Sequence, residues 1–75
     1  MAALTNSVLE SNGFTLNEDT LNWEKTYNPG EEEVLIEFDS HFHIIIDEDI
    51  AYPKVSTIEE ANDRFDVLGI DFRLT

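Results

Sequence analysis

The chain contains no cysteine, and its 75 residues include only two prolines, three glycines and four Lys or Arg. Each scarcity excludes something. Small secreted domains offset a thin core with disulfides, so a cysteine-free chain is expected in a reducing, cytoplasmic setting. There is no thiolate nucleophile, and no glycine-rich loop to cradle a phosphate. No basic-then-apolar leader opens the chain, so no secretory signal is expected. The longest uncharged apolar run falls far short of the ~20 residues that span a bilayer, so no membrane segment is expected either.

The scarcity of cations matters most. Lys25, Lys54, Arg64 and Arg73 face seventeen Asp and Glu, for a formal net charge of −13. Such a chain repels phosphate backbones and anionic lipid surfaces. Direct binding of nucleic acid or membrane is the function class it opposes. A protein partner with a basic surface is the class it favours.

Apolar residues are plentiful: 41% of the chain, with five Phe, one Trp and two Tyr. Acidic disordered chains lack these, so residues 1–75 are expected to fold as a single domain. Ala2 to Asn12 reads as a short helix, with Leu4, Val8 and Leu9 as its stripe and Gly13 as its stop. Phe14 and Leu16 suit a short strand, and Asn17 to Thr20 a turn. Leu21, Trp23, Lys25 and Tyr27 alternate along the next strand, which Asn28-Pro29-Gly30 ends. Glu32 to Phe38 and Phe42 to Ile46 read as a hairpin. Its core face is Val34, Ile36, Phe38, Phe42, Ile44 and Ile46, with Asp39-Ser40 as the turn. Pro53 limits any extended piece at Ile50 to Tyr52.

Ser56 with Glu59, or Thr57 with Glu60, forms a capping box ahead of a second helix. Its stripe is Ile58, Ala61, Phe65 and Leu68, Glu60 and Arg64 are spaced to pair, and Gly69 stops it. Ile70, Phe72 and Leu74 alternate as a final strand would. The expected fold is α+β: a small, mostly antiparallel sheet of three to four strands, an N-terminal helix and a later capped helix on one face.

Little here suits catalysis. Ser7, Ser11, Ser40 and Ser56 look like helix, turn or cap residues, and no carboxylate has an evident apolar setting that would raise its pKa. A chain this small also struggles to enclose a substrate pocket. No enzyme activity is expected. His41 and His43 are the metal candidates, because alternate residues of a strand point the same way. Two histidines without a third ligand fall short of a site. Asp47-Glu48-Asp49 lacks the spacing and the distant Glu of a calcium loop. No metal or cofactor is expected.

The acidic surface remains. Glu59, Asp63 and Asp66 fall on one side of the second helix, about a turn apart. Glu31, Glu32 and Glu33 precede a strand. These carboxylates, foremost Glu59, Asp63, Asp66, Glu31 and Glu33, are the candidate partner-binding residues. Imitation of DNA would need them concentrated on one face, because the charge averaged over the surface is only about a third that of a duplex. Leu35 and Ile45 lie opposite the main apolar stripe. Either the first helix covers them, or with Trp23 they form a contact patch for a partner or a homodimer.

In general character the chain resembles small phage-encoded inhibitors. The likeness lies in a short helix ending in Ser11-Asn12-Gly13-Phe14, a Trp-containing hairpin and a late capped helix running into Gly69-Ile70. Anti-CRISPR and anti-restriction proteins are often short, cysteine-free and acidic. The resemblance implies a protein that occludes a basic nucleic-acid-binding surface of a host defence or nucleic-acid-processing protein. It also fits an immunity protein or antitoxin. A non-inhibitory interaction or homodimeric assembly module is the alternative.

Overall fold

A computed structural model describes the chain apart from Met1, Pro29, Glu31, Tyr52 and the side chain of Ala51. The fold is α+β: a short helix, a five-stranded antiparallel sheet and a second helix. The sheet has one strand more than the upper expectation. The helices are α1 (Asn6–Ser11) and α2 (Ile58–Val67). The strands are β1 (Thr15–Asn17), β2 (Asn22–Tyr27), β3 (Val34–Phe38), β4 (Ile44–Ile46) and β5 (Asp49–Ala51), ordered in the sheet as in the chain.

The first helix is shorter than its apolar pattern suggests because Thr5 caps it. The Thr5 hydroxyl accepts from the Val8 amide at 3.2 Å. Leu4 just before the cap and Leu9 in the first turn are both buried, as in a hydrophobic staple. Before the cap the backbone runs antiparallel to the start of α2, with Leu4 N–H donating to Ser56 and Ile58 N–H to Ala2. Thr57 caps α2 by accepting from the Glu60 amide at 3.1 Å. Both helices end at a glycine of positive φ, Gly13 at 88° and Gly69 at 74°, a conformation that costs glycine little. There the amides of Phe14 and Ile70 reach back to the carbonyls of Leu9 and Phe65.

The β3–β4 turn differs from the expected two-residue turn. Phe42 N–H donates to Asp39, Asp39 N–H donates to His43, and Phe42 sits at φ 62°. This is a turn followed by a left-handed residue, a position that usually takes glycine. Phe42 holds it because its side chain packs on the core and its carbonyl accepts from Val55. Asp47 (φ 48°) and Glu48 (φ 75°) then make the two-residue turn into β5, the extended piece that Pro53 follows.

Ile36, Phe38, Ile44, Leu9, Ala61 and Phe65 are fully buried between sheet and helices. Phe14, Phe38, Phe65 and Phe72 pack edge to face, with centroids 5.4 to 6.2 Å apart. Leu68, expected on the α2 stripe, is 43% exposed as the C-cap.

The Ile70–Leu74 segment is not a strand, although its alternation is real: Leu74 is buried and Phe72 half-buried. Side chains stand in for a partner strand: Arg73 Nη1 donates to the Ile70 and Phe72 carbonyls, both at 2.7 Å, and asparagines hold the last two residues. The Asn62 amide group donates to Leu74 O (3.1 Å) and accepts from Leu74 N–H (2.8 Å). Asn12 does the same for Thr75, at 3.3 and 3.0 Å. Asn62→Ala removes both Leu74 bonds near the core and is expected to cost about 2 kcal/mol in urea unfolding. A change below about 0.5 kcal/mol would show that water replaces them freely.

Candidate functional site

Register assigns each sheet residue to a face. Trp23 pairs with Phe38, Lys25 with Ile36 and Tyr27 with Val34. These residues share the face that carries both helices: Phe38 meets Phe65 of α2, and Trp23 Nε1 donates to Asn6 Oδ1 of α1 at 3.2 Å. On the opposite face one cross-strand row runs through all five strands: Thr15, Glu24, Glu37, Ile45 and Ile50. Asn22, Thr26 and Leu35 flank it. The first helix therefore does not cover Leu35 and Ile45. They are half-buried, and Ile50 beside them is 62% exposed. Trp23 belongs to the other face and does not join them.

Two carboxylates, Glu24 and Glu37, stand directly opposite each other in this row. Glu37 is only 8% exposed. Its partner is an amide: Asn22 Nδ2 donates to Oε2 at 3.3 Å. Asn17 Nδ2 likewise donates to Glu24 at 3.2 Å. Burial pushes the Glu37 carboxyl above its ordinary pKa; the Asn22 bond opposes this, and Glu24 and Glu48 add to it. Among the described residues neither carboxylate forms an ion pair; the two found are His43–Asp39 and Arg73–Asp66. Lys25 is turned to the other side, its ammonium 5.8 Å from the Phe72 ring centroid. A groove of about 310 Å3 opens beside Glu24, lined also by Gly13, Thr15, Lys25, Thr26 and Leu35.

Like charges facing each other across strands oppose folding. A raised folded pKa means Glu37 destabilises the native state once ionised, and the cost disappears as pH falls through that pKa. Glu37→Gln keeps the Asn22 bond, so it should stabilise the protein by up to about 1 kcal/mol at neutral pH. Chemical denaturation across pH checks this: the advantage should shrink toward mild acid, and an advantage independent of pH would contradict the assignment.

The acidic side of α2 is less acidic than its sequence suggests. Glu59, Asp63 and Asp66 are all exposed. Glu59 accepts from the Ala2 amide at 3.1 Å, and Asp66 pairs with Arg73 at 3.1 Å. Asp63 lines a hollow of about 190 Å3 that it shares with Lys54, Arg64 and Glu60. Three of the four cations thus sit among these acids. The expected Glu60–Arg64 pair is absent: Glu60 Oε1 instead accepts from Ser56 N–H at 3.2 Å, Ser56 Oγ at 2.7 Å and Thr57 Oγ1 at 3.3 Å. The Ser56 bonds foremost hold its pKa down. Glu33 is exposed just before β3, and Glu31 lies outside the described residues.

His41 and His43 precede β4, so the strand geometry that would aim both rings at one ion is absent. His43 Nδ1 lies 3.0 Å from Asp39 Oδ2, and His41 Nδ1 lies 3.3 Å from Ser40 Oγ. Among the described residues, no three His, Asp or Glu are grouped to hold a metal. No helix of the described residues is long and apolar enough to cross a membrane. Neither a protein-family model, nor a curated protein, nor a solved structure matches the chain.

Proposed function

We propose that this protein binds a basic protein partner through the open face of its sheet. It would act as a small inhibitor that covers a cationic, nucleic-acid-binding surface of that partner. The observation that carries this reading is the uncovered row across the sheet. Apolar Leu35, Ile45 and Ile50 lie beside a carboxylate pair that lacks a cation among the described residues. Interfaces combine an apolar centre with polar surroundings in this way. The −13 charge would steer a basic partner onto the face and oppose a nucleic acid.

Averaged over 4837 Å2, thirteen net charges give about one per 370 Å2, far sparser than a DNA duplex. The reading therefore rests on a shaped face and not on general imitation of DNA. Self-association through the same strip would set like charges against each other, so a monomer is expected in sedimentation.

The test is a photo-crosslinking residue placed at Ile50, compared with one at Asp63, in an extract of the source cell. Support is a basic, nucleic-acid-binding protein captured from position 50 in low salt, lost in high salt and lost with Leu35→Lys. Capture from position 63 alone, or capture indifferent to salt, would overturn the reading.

A further inference from the structure

We infer that the open sheet face docks its basic partner by taking an arginine side chain onto Glu24 and Glu37, with the arginine stem lying over the apolar residues beside them. The inference deepens the reading of the sheet face as the binding surface and rests on it.

Glu37 has no cationic partner among the described residues. Glu37 is more than nine-tenths buried, yet its hydrogen-bond donor is a neutral amide. A buried carboxylate is normally paired with a cation or protonated. Among the described residues no Lys or Arg pairs with either carboxylate: Lys25 lines the groove beside Glu24 but its ammonium lies against Phe72, Arg73 bonds Asp66, and Lys54 and Arg64 line the hollow at α2. A cationic side chain of a partner would complement the pair.

Geometry selects the kind of cation. Directly opposed residues on antiparallel strands hold their Cβ atoms about 5 Å apart, so the two carboxylates stand side by side. A guanidinium is a planar fork with five N–H donors and can serve both at once. An ammonium is a compact, strongly hydrated point charge that gives up its water less readily. The two asparagine bonds, Asn17 to Glu24 and Asn22 to Glu37, are parallel in pattern and orient both carboxylates from the same end of the row. Ile45 next to Glu37, and Leu35 lining the groove beside Glu24, supply apolar surface for three methylenes. A bound guanidinium would also reverse the upward push on the Glu37 pKa.

A second copy of the chain is the wrong occupant. It would present its own Glu24 and Glu37, and its arginines are Arg64 and Arg73, of which the latter is already paired.

The experiment titrates the full chain with two synthetic peptides at low salt, one alternating arginine with glycine and the other lysine with glycine, followed by amide NMR shifts. The arginine peptide should bind ~5-fold or more tighter than the lysine peptide. Its shifts should centre on Glu24, Thr26, Leu35, Glu37 and Ile45. Glu24→Gln and Glu37→Gln, each near-isosteric, should weaken the arginine peptide by ~10-fold and erase the preference. Asp63→Asn should change neither. Equal affinity for both peptides, or shifts centred on α2, would overturn the inference. If the peptides fail this test while Ile50 still crosslinks a basic protein, the open face binds its partner by other contacts. If both experiments fail, the sheet face is not the interface.

Discussion

Phe65→Ala is expected to remove a large share of the protein's stability at 25 °C. Phe65 is fully buried on α2, and its ring meets Phe38 of the sheet at 6.2 Å and Phe72 of the C-terminal segment at 5.7 Å. It therefore joins the three layers of the core. Removing a buried phenyl ring costs about 3 to 5 kcal/mol, from lost transfer energy and the cavity left behind. A domain of this length has roughly 4 to 11 kcal/mol of stability in total. The measurement is urea unfolding followed by Trp23 fluorescence and near-UV circular dichroism. Phe65→Leu, which keeps part of the volume, should fall between wild type and alanine. A loss below about 1 kcal/mol for alanine would mean the core closes around the gap and the aromatic cluster is not the keystone described.

Asp39→Ala should be among the most damaging changes outside the core. Asp39 Oδ1 accepts from the amides of His41 and His43, both at 2.9 Å, and Oδ2 faces His43 Nδ1 at 3.0 Å. These bonds hold the turn in which Phe42 adopts its left-handed backbone. Losing them leaves that conformation with fewer constraints, for an expected loss of about 2 kcal/mol. Burial alone would raise the Asp39 pKa, but the two amides and the His43 ring overcome it and hold the carboxyl below its ordinary value. The sign follows from linkage. A depressed folded pKa gives stability that is present above the unfolded value, near 3.9, and is lost as pH falls through the folded one. The gap between wild type and Asp39→Asn should therefore be full at neutral pH and close below about pH 4. Glu37 behaves in the opposite sense, so acid should relieve one carboxylate while undoing the other. Identical acid unfolding of wild type and Asp39→Asn would contradict the role given to Asp39.

Much of this architecture is legible in the sequence because its signals are local. Alternation in β2 to β4, the Thr57–Glu60 box and the two helix-ending glycines each act within a few residues. The features that local pattern does not carry have a common physical origin. Ile70 to Leu74 carries the period of a strand, but its carbonyls and amides are met by the Arg73 guanidinium and the distant side chain of Asn62, with Asn12 holding Thr75 beyond it. No local pattern announces them. Phe42 and Leu21 take left-handed conformations that their residue types do not signal. The helix acids Glu59, Asp63 and Asp66 were readable as one exposed side, whereas the arrival of Arg73 and Lys54 beside them depends on tertiary structure. The opposition of Glu24 and Glu37 is a matter of register between strands joined by residues 28–33. Either carboxylate alone looks like an ordinary solvated charge.

The sheet order, in which each strand lies beside its neighbours in the chain, also governs how the protein acquires its shape. Hairpin pairing closes short loops at small entropic cost, and chains dominated by such pairings fold fast for β-rich proteins. The wide closures are Ala2 onto Glu59 and Asn12 onto Thr75, spanning 57 and 63 residues. A meander can zip from turn to turn before either is made. The expected folding order ends with those two clasps, which turn five paired strands into an enclosed core while neither helix covers the row from Thr15 to Ile50.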